Sequence, residues 1–244
     1  MFSIFKKSAP IQTDLSSFYL DMHSHLIPGV DDGAPDVAAA VALVKNLQDL
    51  GIQKVITTPH VMADLYPNTS EGLQDGLQQL KEGLKTENIE IEVEVAAEYL
   101  IDEAFGEKIE QEALLTLPGN RVLVEMSFVA EAPNLHNYLF QLQAKGYRPI
   151  MAHPERYLYY RGNLKEYERL KDYGCEFQLN LLSCTDYYGK AVKDIAKKLL
   201  KAELYDFIGT DLHRQEHLDY LNTHWKDRFL QQVLDTEFKN KKLK

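Results

Sequence analysis

Short apolar runs that end in a histidine or a carboxylate recur along this chain: LDMHSHLIPGVDDG (20–33), VITTPH (55–60), VAAEY (95–99), VLVEM (122–126), IMAHPERY (150–157) and FIGTDLH (207–213). Runs of four to eight apolar, often β-branched residues between turn residues read as strands. Strands are expected over 18–22, 54–58, 89–97, 121–126, 149–152, 176–182 and 206–209. The stretches between them carry helical spacing. Pro35 opens a helix on Val37, Val41, Val44 and Leu47 that Gly51 closes, and Ser70 caps one on Leu73, Leu77, Leu80 and Leu84. Further helices are expected over 133–146, 163–173 and 190–201, with a helical tail around Trp225.

Strands that alternate with helices form parallel βαβ units with right-handed crossovers. An open doubly wound sheet would hold the outer strand ends too far apart to share a site. A closed α/β barrel brings all strand ends to one mouth, where chemistry sits in such folds. One domain over residues 18–244, behind an N-terminal extension of residues 1–17, suits a chain of 244 residues.

The strand-end residues are the right types for divalent metals, since imidazole and carboxylate are the usual nitrogen and oxygen ligands. His23 and His25 lie two apart, so in an extended strand both face one side. Asp31 or Asp32 follows a turn later, and Gly33 also permits a plain Asp-Gly turn. His60, Glu98, Glu125, His153, Asp211 and His213 complete the set. The sixth strand offers only Gln178 and Asn180. His136, His217 and His224 fall in helical stretches and are expected on the surface. With five neutral imidazoles and about four carboxylates, two divalent ions leave the set neutral and three leave it about two units positive. The trinuclear case attracts a dianion such as a phosphomonoester. Arg156, three residues past His153, adds a planar donor fork for phosphate oxygens.

A formal net charge of −10 argues against broad nucleic-acid binding, which needs a basic face. Cys175 and Cys184 have no framework spacing, and neither sits in an arginine loop that would make a phosphatase nucleophile. No signal-peptide or membrane-span run is present. A cytoplasmic protein without membrane insertion is expected. The terminal KNKKLK reads as a solvated helix end, with a basic docking tail as the alternative.

DMHSH, PGVDDG, TTPH, a strand-end glutamate, AHPERY and a terminal D-x-H together resemble the PHP (polymerase and histidinol phosphatase) superfamily. Within it they resemble the bacterial capsule-associated CpsB/CapC-type tyrosine-protein phosphatases. The resemblance spans about 19–213. It implies a distorted (β/α)7 TIM-like barrel holding three divalent ions, manganese first, with iron or zinc as alternatives. It implies that His23, His25 and Asp211 hold one ion and that Glu98 bridges to a second held by Glu125 and His153. Asp32, His60 and His213 would hold the third. It further implies that Arg156 contacts phosphate, with Arg214 the nearest match to a second arginine, and that a bound water or His213 protonates the leaving group. The implied substrate is the phosphorylated tyrosine-rich tail of a bacterial tyrosine kinase that controls capsular or exopolysaccharide synthesis. Tyr157, Tyr159, Tyr160, Tyr187 and Tyr188 are placed to stack on its phenol ring or to pack the rim. The alternatives are a small-molecule phosphomonoesterase of the histidinol-phosphatase type and a catalytically silent phosphotyrosine-binding scaffold.

Overall fold

Among the described residues every ladder between strands is parallel, as seen in a computed structural model that describes residues 13–111 and 113–244. The strands are β1 (Leu20–Asp21), β2 (Lys54–Thr57), β3 (His60–Val61), β4 (Glu92–Val95), β5 (Glu98–Leu100), β6 (Arg121–Glu125), β7 (Arg148–Ala152), β8 (Glu176–Asn180) and β9 (Phe207–Gly209). They form a three-stranded sheet, β1-β2-β4, and a six-stranded sheet, β3-β5-β6-β7-β8-β9. Two residues separate β2 from β3, and two separate β4 from β5, so each pair continues one chain path from one sheet into the other.

The expected single closed ladder is not what forms. β1 is two residues long and forms no ladder with β9; beyond their ends the two paths are joined by the Ser24–Leu212 bridge. Backbone bonds from His25 N–H to Leu212 C=O (2.9 Å) and from Asp211 N–H to His23 C=O (2.7 Å) hold that junction. The buried Asp21 carboxylate reinforces it by accepting the Thr210 N–H and hydroxyl at 2.8 and 2.7 Å.

Among the described residues eight α-helices run between or after the strands: α1 (Val37–Asp49), α2 (Ser70–Thr86), α3 (Glu103–Gln111), α4 (Leu135–Ala144), α5 (Leu164–Asp172), α6 (Lys190–Lys201), α7 (Gln215–Thr223) and α8 (Arg228–Leu234). The caps sit one residue from the expected starts. The Asp36 carboxylate accepts from Ala39 N–H for α1, and the Thr69 hydroxyl accepts from Gly72 N–H for α2. α3 was not legible in the sequence, because only Phe105 and Ile109 mark its buried face. Among the described residues no helix is long and apolar enough to cross a membrane.

Two apolar clusters result. A large one packs the helices on the outer strand faces. A second gathers Leu20, Met22, Ile56, Ala96, Leu123, Ile150, Ala152 and Phe207, so most strands contribute to one shared interior. Thr13 and Leu15 are also buried, so packing begins inside the segment assigned as an extension.

The terminal KNKKLK is not a solvated helix end. Leu243 is fully buried in the inner cluster. Asn240 accepts from Ile208 N–H (3.0 Å) and donates to the Leu20 and Ile208 carbonyls at 3.1 and 2.8 Å. The tail thereby closes the inner core beside β1 and β9. Leu243→Ala is expected to cost about 2–4 kcal/mol in urea denaturation. Lys241→Ala, at an exposed position, should stay within about 0.5 kcal/mol. Equal midpoints for the two variants would contradict the closing role of the tail.

Candidate metal centre

Nine of the sequence-selected side chains meet at one end of the strands, and most are buried. Four groupings place their ligand atoms within 4.8 Å of one another: His25, Asp32, His60 and His213; His23, Glu98 and His153; His23, His25 and Asp211; and His60, Glu98 and Glu125. Glu98, at the start of β5, occupies the middle. Its Oε2 lies 3.3 Å from His23 Nε2, 3.5 Å from His25 Nε2 and 3.1 Å from His60 Nδ1, and its Oε1 lies 3.1 Å from His153 Nε2. Asp211 Oδ1 is 3.3 Å from both His23 Nε2 and His25 Nε2. His60 Nδ1 is 3.0 Å from Glu125 Oε1.

Ring orientation follows from what each imidazole's other nitrogen does. His23 Nδ1 donates to Gln178 Oε1 at 2.9 Å, while Gln178 Nε2 donates to the Leu179 carbonyl. His25 Nδ1 donates to Asp31 Oδ2 at 2.8 Å, and His213 Nδ1 to the Asp211 carbonyl at 2.9 Å. Each ring is left with its Nε2 lone pair turned inward, which is how ligating histidines are held. The choice between Asp31 and Asp32 is physical. Asp31 is occupied by His25, by Gly33 N–H and by His60 N–H. Asp32 is half-exposed and faces His60 Nε2 at 3.6 Å and His213 Nε2 at 3.4 Å. The turn that sets both requires glycine: a Cβ on Gly33 would lie 2.1 Å from the His25 carbonyl oxygen. Gly209 likewise makes room for His23, whose Cβ would sit 2.6 Å from an added methyl.

The donor set fits divalent cations. Glu98 Oε1 and Oε2, Glu125 Oε1, His60 Nδ1 and His153 Nδ1 are buried without any hydrogen-bond partner. Two donors on one ion with bonds of about 2.1 Å stand about 3.0–3.5 Å apart, according to the coordination angle. The separations above lie in that range. With no cation, protons must balance the carboxylates. Burial pulls the His23 imidazole down, but Glu98 and Asp211 outweigh it and push it up to about 10. Burial also opposes protonation of His60, yet Glu125 and Glu98 push it up to about 12. Burial favours the neutral forms of Glu98 and Asp211, and the surrounding imidazoles hold both well below the usual carboxylate range.

A cavity of about 330 Å³ opens beside these groups, lined in part by Asp32, Glu125, Phe128, Arg156, Tyr188 and His213. Arg156 Nη1 donates to Asp211 Oδ2 at 3.0 Å, and its guanidinium carbon lies 4.5 Å from the Phe128 ring centre and 4.2 Å from that of Tyr188. Asn180 Nδ2 donates to the same Asp211 oxygen at 2.6 Å. The exposed Arg214 also lines the cavity, as does Tyr187. Tyr157 and Tyr160 do not. Tyr157 is fully buried, accepting from Met126 N–H and donating to the Ala152 carbonyl, and Tyr160 is buried and donates to Glu131.

His217 is not on the surface. It is buried at the cavity wall, its Nδ1 accepts from His213 N–H at 3.4 Å, and burial pulls its imidazole down to about 4. His136 and His224 are exposed as expected. The sequence did not reveal the orienting roles of Gln178, Asn180 and Asp31, the buried place of His217, or Phe128 in the cavity wall. Their one signal was two polar residues, Gln178 and Asn180, inside an otherwise strand-like run.

Residues 19–220 match the family described as capsular polysaccharide synthesis, CpsB/CapC. The chain belongs to this family. Its relatives include tyrosine-protein phosphatase YwqE of Bacillus subtilis, 29% identical over 90% of this chain and 85% of the relative. Tyrosine-protein phosphatase CpsB of Streptococcus pneumoniae is 28% identical over 80% of this chain and 82% of its own length. A solved structure from work on YwqE and CpsB, described as unique metal-dependent tyrosine phosphatases, superposes with a TM-score of 0.78 at 29% identity, covering 90% of this chain and 87% of that one. A lactonase from Listeria monocytogenes shares the fold alone, with a TM-score of 0.53 at 12% identity over 96% and 94% of the two chains.

Two predictions follow from how this CpsB/CapC-family centre is held. Gln178→Ala frees the His23 ring and should weaken metal binding about 10–100-fold, read by competition with a chromophoric chelator. Unchanged affinity would remove Gln178 from the orienting role. In metal-stripped protein, protonated His23 stabilises the fold fully below its unfolded pKa near 6.5, and that stability is lost as pH rises through about 10. The melting temperature of stripped protein should therefore fall between pH 7 and 10, and reloading with metal should flatten that slope. Parallel profiles for the two forms would count against the cation-for-proton exchange.

Proposed function

We infer that this chain is a metal-dependent tyrosine-protein phosphatase, a phosphoric monoester hydrolase of the capsule-synthesis family. The observation that carries this is a buried, hydrogen-bond-starved set of imidazoles and carboxylates opening onto a cavity that Arg156 lines. The names of the relatives point to the same activity. We propose further that the two sheets act as one distorted (β/α)7 barrel whose mouth holds three divalent ions, with manganese, iron or zinc chosen by availability. His23, His25 and Asp211 would hold one, Glu98 and Glu125 with His153 a second, and Asp32 with His213 a third. His60 reaches both of the latter groups, with Nδ1 toward Glu98 and Glu125 and Nε2 toward Asp32, and would serve one of them.

Bound there, divalent cations supply Lewis-acid charge to phosphoryl oxygens and make hydroxide available from water at neutral pH. The chain's own groups do the rest. Arg156, held flat between Phe128 and Tyr188 and tied to Asp211, presents its remaining N–H donors to the phosphoryl group and offsets charge that builds on its oxygens. Arg214 adds positive charge at the rim. The cavity lies near the small end of the roughly 300–1,000 Å³ usual for ligand sites, which suits a single phosphorylated side chain. A tyrosinate leaving group, with a conjugate acid near pKa 10, departs with little help. His213 then serves through Nε2 as a ligand, and a proton from it is not essential. The substrate we propose is the phosphorylated tyrosine-rich tail of a bacterial tyrosine kinase, met in the cytoplasm.

A cysteine route has no support, because burial pushes the Cys175 thiol up to about 12 and also raises that of Cys184. Hydrolysis of a phosphotyrosyl peptide should stop with chelator, resume with manganese and survive N-ethylmaleimide. Arg156→Ala should lower kcat about 10²–10³-fold. Faster turnover of histidinol phosphate than of the peptide would instead favour a small-molecule phosphatase. Tight phosphopeptide binding without phosphate release would leave only the scaffold.

A further inference from the structure

α6 carries lysines at 190, 193, 197, 198 and 201, in a chain whose formal net charge is −10. Lys193, Lys197 and Lys201 follow one another at helical turns and, with Arg228, Phe229 and Gln232 of α8, line a groove of about 610 Å³. Among the described residues the only carboxylate lining it is Asp227, which pairs with Lys193 at 2.5 Å and, through its other oxygen, accepts from the N–H groups of Phe229 and Leu230 that open α8. Lys193 is itself buried. Lys197 and Lys201 are exposed, as is Arg228, and among the described residues none of the three has a carboxylate within ion-pair distance. Lys197 stands over the buried Phe229 ring, 5.5 Å from its centre.

Several cations elsewhere in this acidic chain pair with carboxylates. Lys54 pairs with Glu92 and Glu94, Arg121 and Arg148 share Glu176, and Lys171 and Lys239 share Asp206. Three exposed positive charges gather around one groove whose lining holds a single carboxylate, so they repel one another and complement an anion.

The groove also has a direction. Tyr187 and Tyr188 line the catalytic cavity, Asp186 just before them pairs with Lys193, and α6 begins two residues after Tyr188. At 1.5 Å per residue, the eleven steps from Lys190 to Lys201 cover about 16 Å, the reach of roughly five residues of extended peptide.

We propose that this groove is a docking track for the acidic or further phosphorylated segment flanking the phosphotyrosine of a protein substrate. The proposal rests on the phosphatase reading and adds to it the chemistry of the substrate's flank. A track of this kind lowers KM for polyanionic substrates and leaves the chemical step unchanged.

The test compares wild type with Lys197→Glu/Lys201→Glu/Arg228→Glu, all outside the catalytic cavity, on three substrates. These are a phosphotyrosyl peptide with glutamates at roughly three to six positions on either side, the same peptide with glutamines there, and p-nitrophenyl phosphate. Wild type should favour the glutamate peptide roughly tenfold in KM, and the preference should shrink with added salt. The triple variant should lose it, with kcat on p-nitrophenyl phosphate unchanged. Lys201→Gln/Arg228→Gln, a milder change, should lose part of it even if the triple variant fails to fold.

No preference in wild type, or full preference in a folded variant, overturns the proposal. So does charge-dependent binding to phosphatidylglycerol vesicles without any peptide preference, which would assign the groove to a lipid surface. Fluorescence anisotropy of the two peptides, each bearing a fluorophore, separates the two ideas. Absent turnover of every substrate defeats the phosphatase reading, while a glutamate preference in binding that the variant loses still upholds the groove.

Discussion

A fully buried carboxylate with no hydrogen-bond donor of its own governs the structure. Glu98 is inaccessible to solvent, and neither of its oxygens has a hydrogen-bond partner. A charge so placed is prohibitively costly unless positive charge is brought to it. The fold brings four imidazoles within 3.1–3.5 Å of its oxygens: the H-x-H pair that follows β1, His60 of β3 and His153 after β7. Protons on those rings supply one answer, and divalent ions supply a better one, because one ion satisfies several lone pairs at once. The parallel sheets, the helices outside them and the apolar interior below all serve to hold that convergence.

The centre is held rigid by groups that never enter it. Gln178, inside β8, fixes His23 and also accepts from the His153 N–H. Asp31 fixes His25 and the His60 backbone. Glu155, buried between His153 and Arg156, accepts from Asn180 N–H and from the Tyr205 hydroxyl, and Asn180 in turn donates to Asp211. His23, His25, His213 and Asp211 thus each have a bond to the frame, so their direction is set before any ligand arrives. The tail acts at the opposite end, where Asn240 and Leu243 close the same interior.

The legible part of this architecture was the part written in local pattern. Alternating apolar runs and helical spacings gave seven chain paths, and the residue types at their ends gave the nine donors that converge. What was not legible depends on partners far away in sequence. Gln178 looks like an interruption in a strand until His23, 155 positions earlier, is seen bonded to it. His217 sits in a helical stretch that reads as exposed, yet the D-L-H turn folds back on it. The lysine-rich tail looks solvated because two residues, Asn240 and Leu243, carry all of its burial. Ladder closure failed for a local reason: β1 gives up strand geometry after two residues, where the chain turns to present His23 and His25.

The two ends of the site are coupled through a single carboxylate. Asp211 turns Oδ1 to His23 and His25 and Oδ2 to Arg156 and Asn180. Charge gathered on one oxygen therefore weakens what the other can offer, so cation binding and the grip on Arg156 are not independent. The backbone records the same coupling. His153 and Asp211 both adopt left-handed conformations, with φ of 33° and 51°, and His153 does so directly before Pro154, where the chain strongly prefers extended geometry. Such residues cost on the order of 1–3 kcal/mol each and persist only where surrounding contacts over-determine them. Here those contacts are Gln178 on the His153 N–H and the His23 carbonyl on the Asp211 N–H. The strain thus sits at the two residues that link the buried donors to the cavity-lining arginine, and relaxing either would move both halves of the site together.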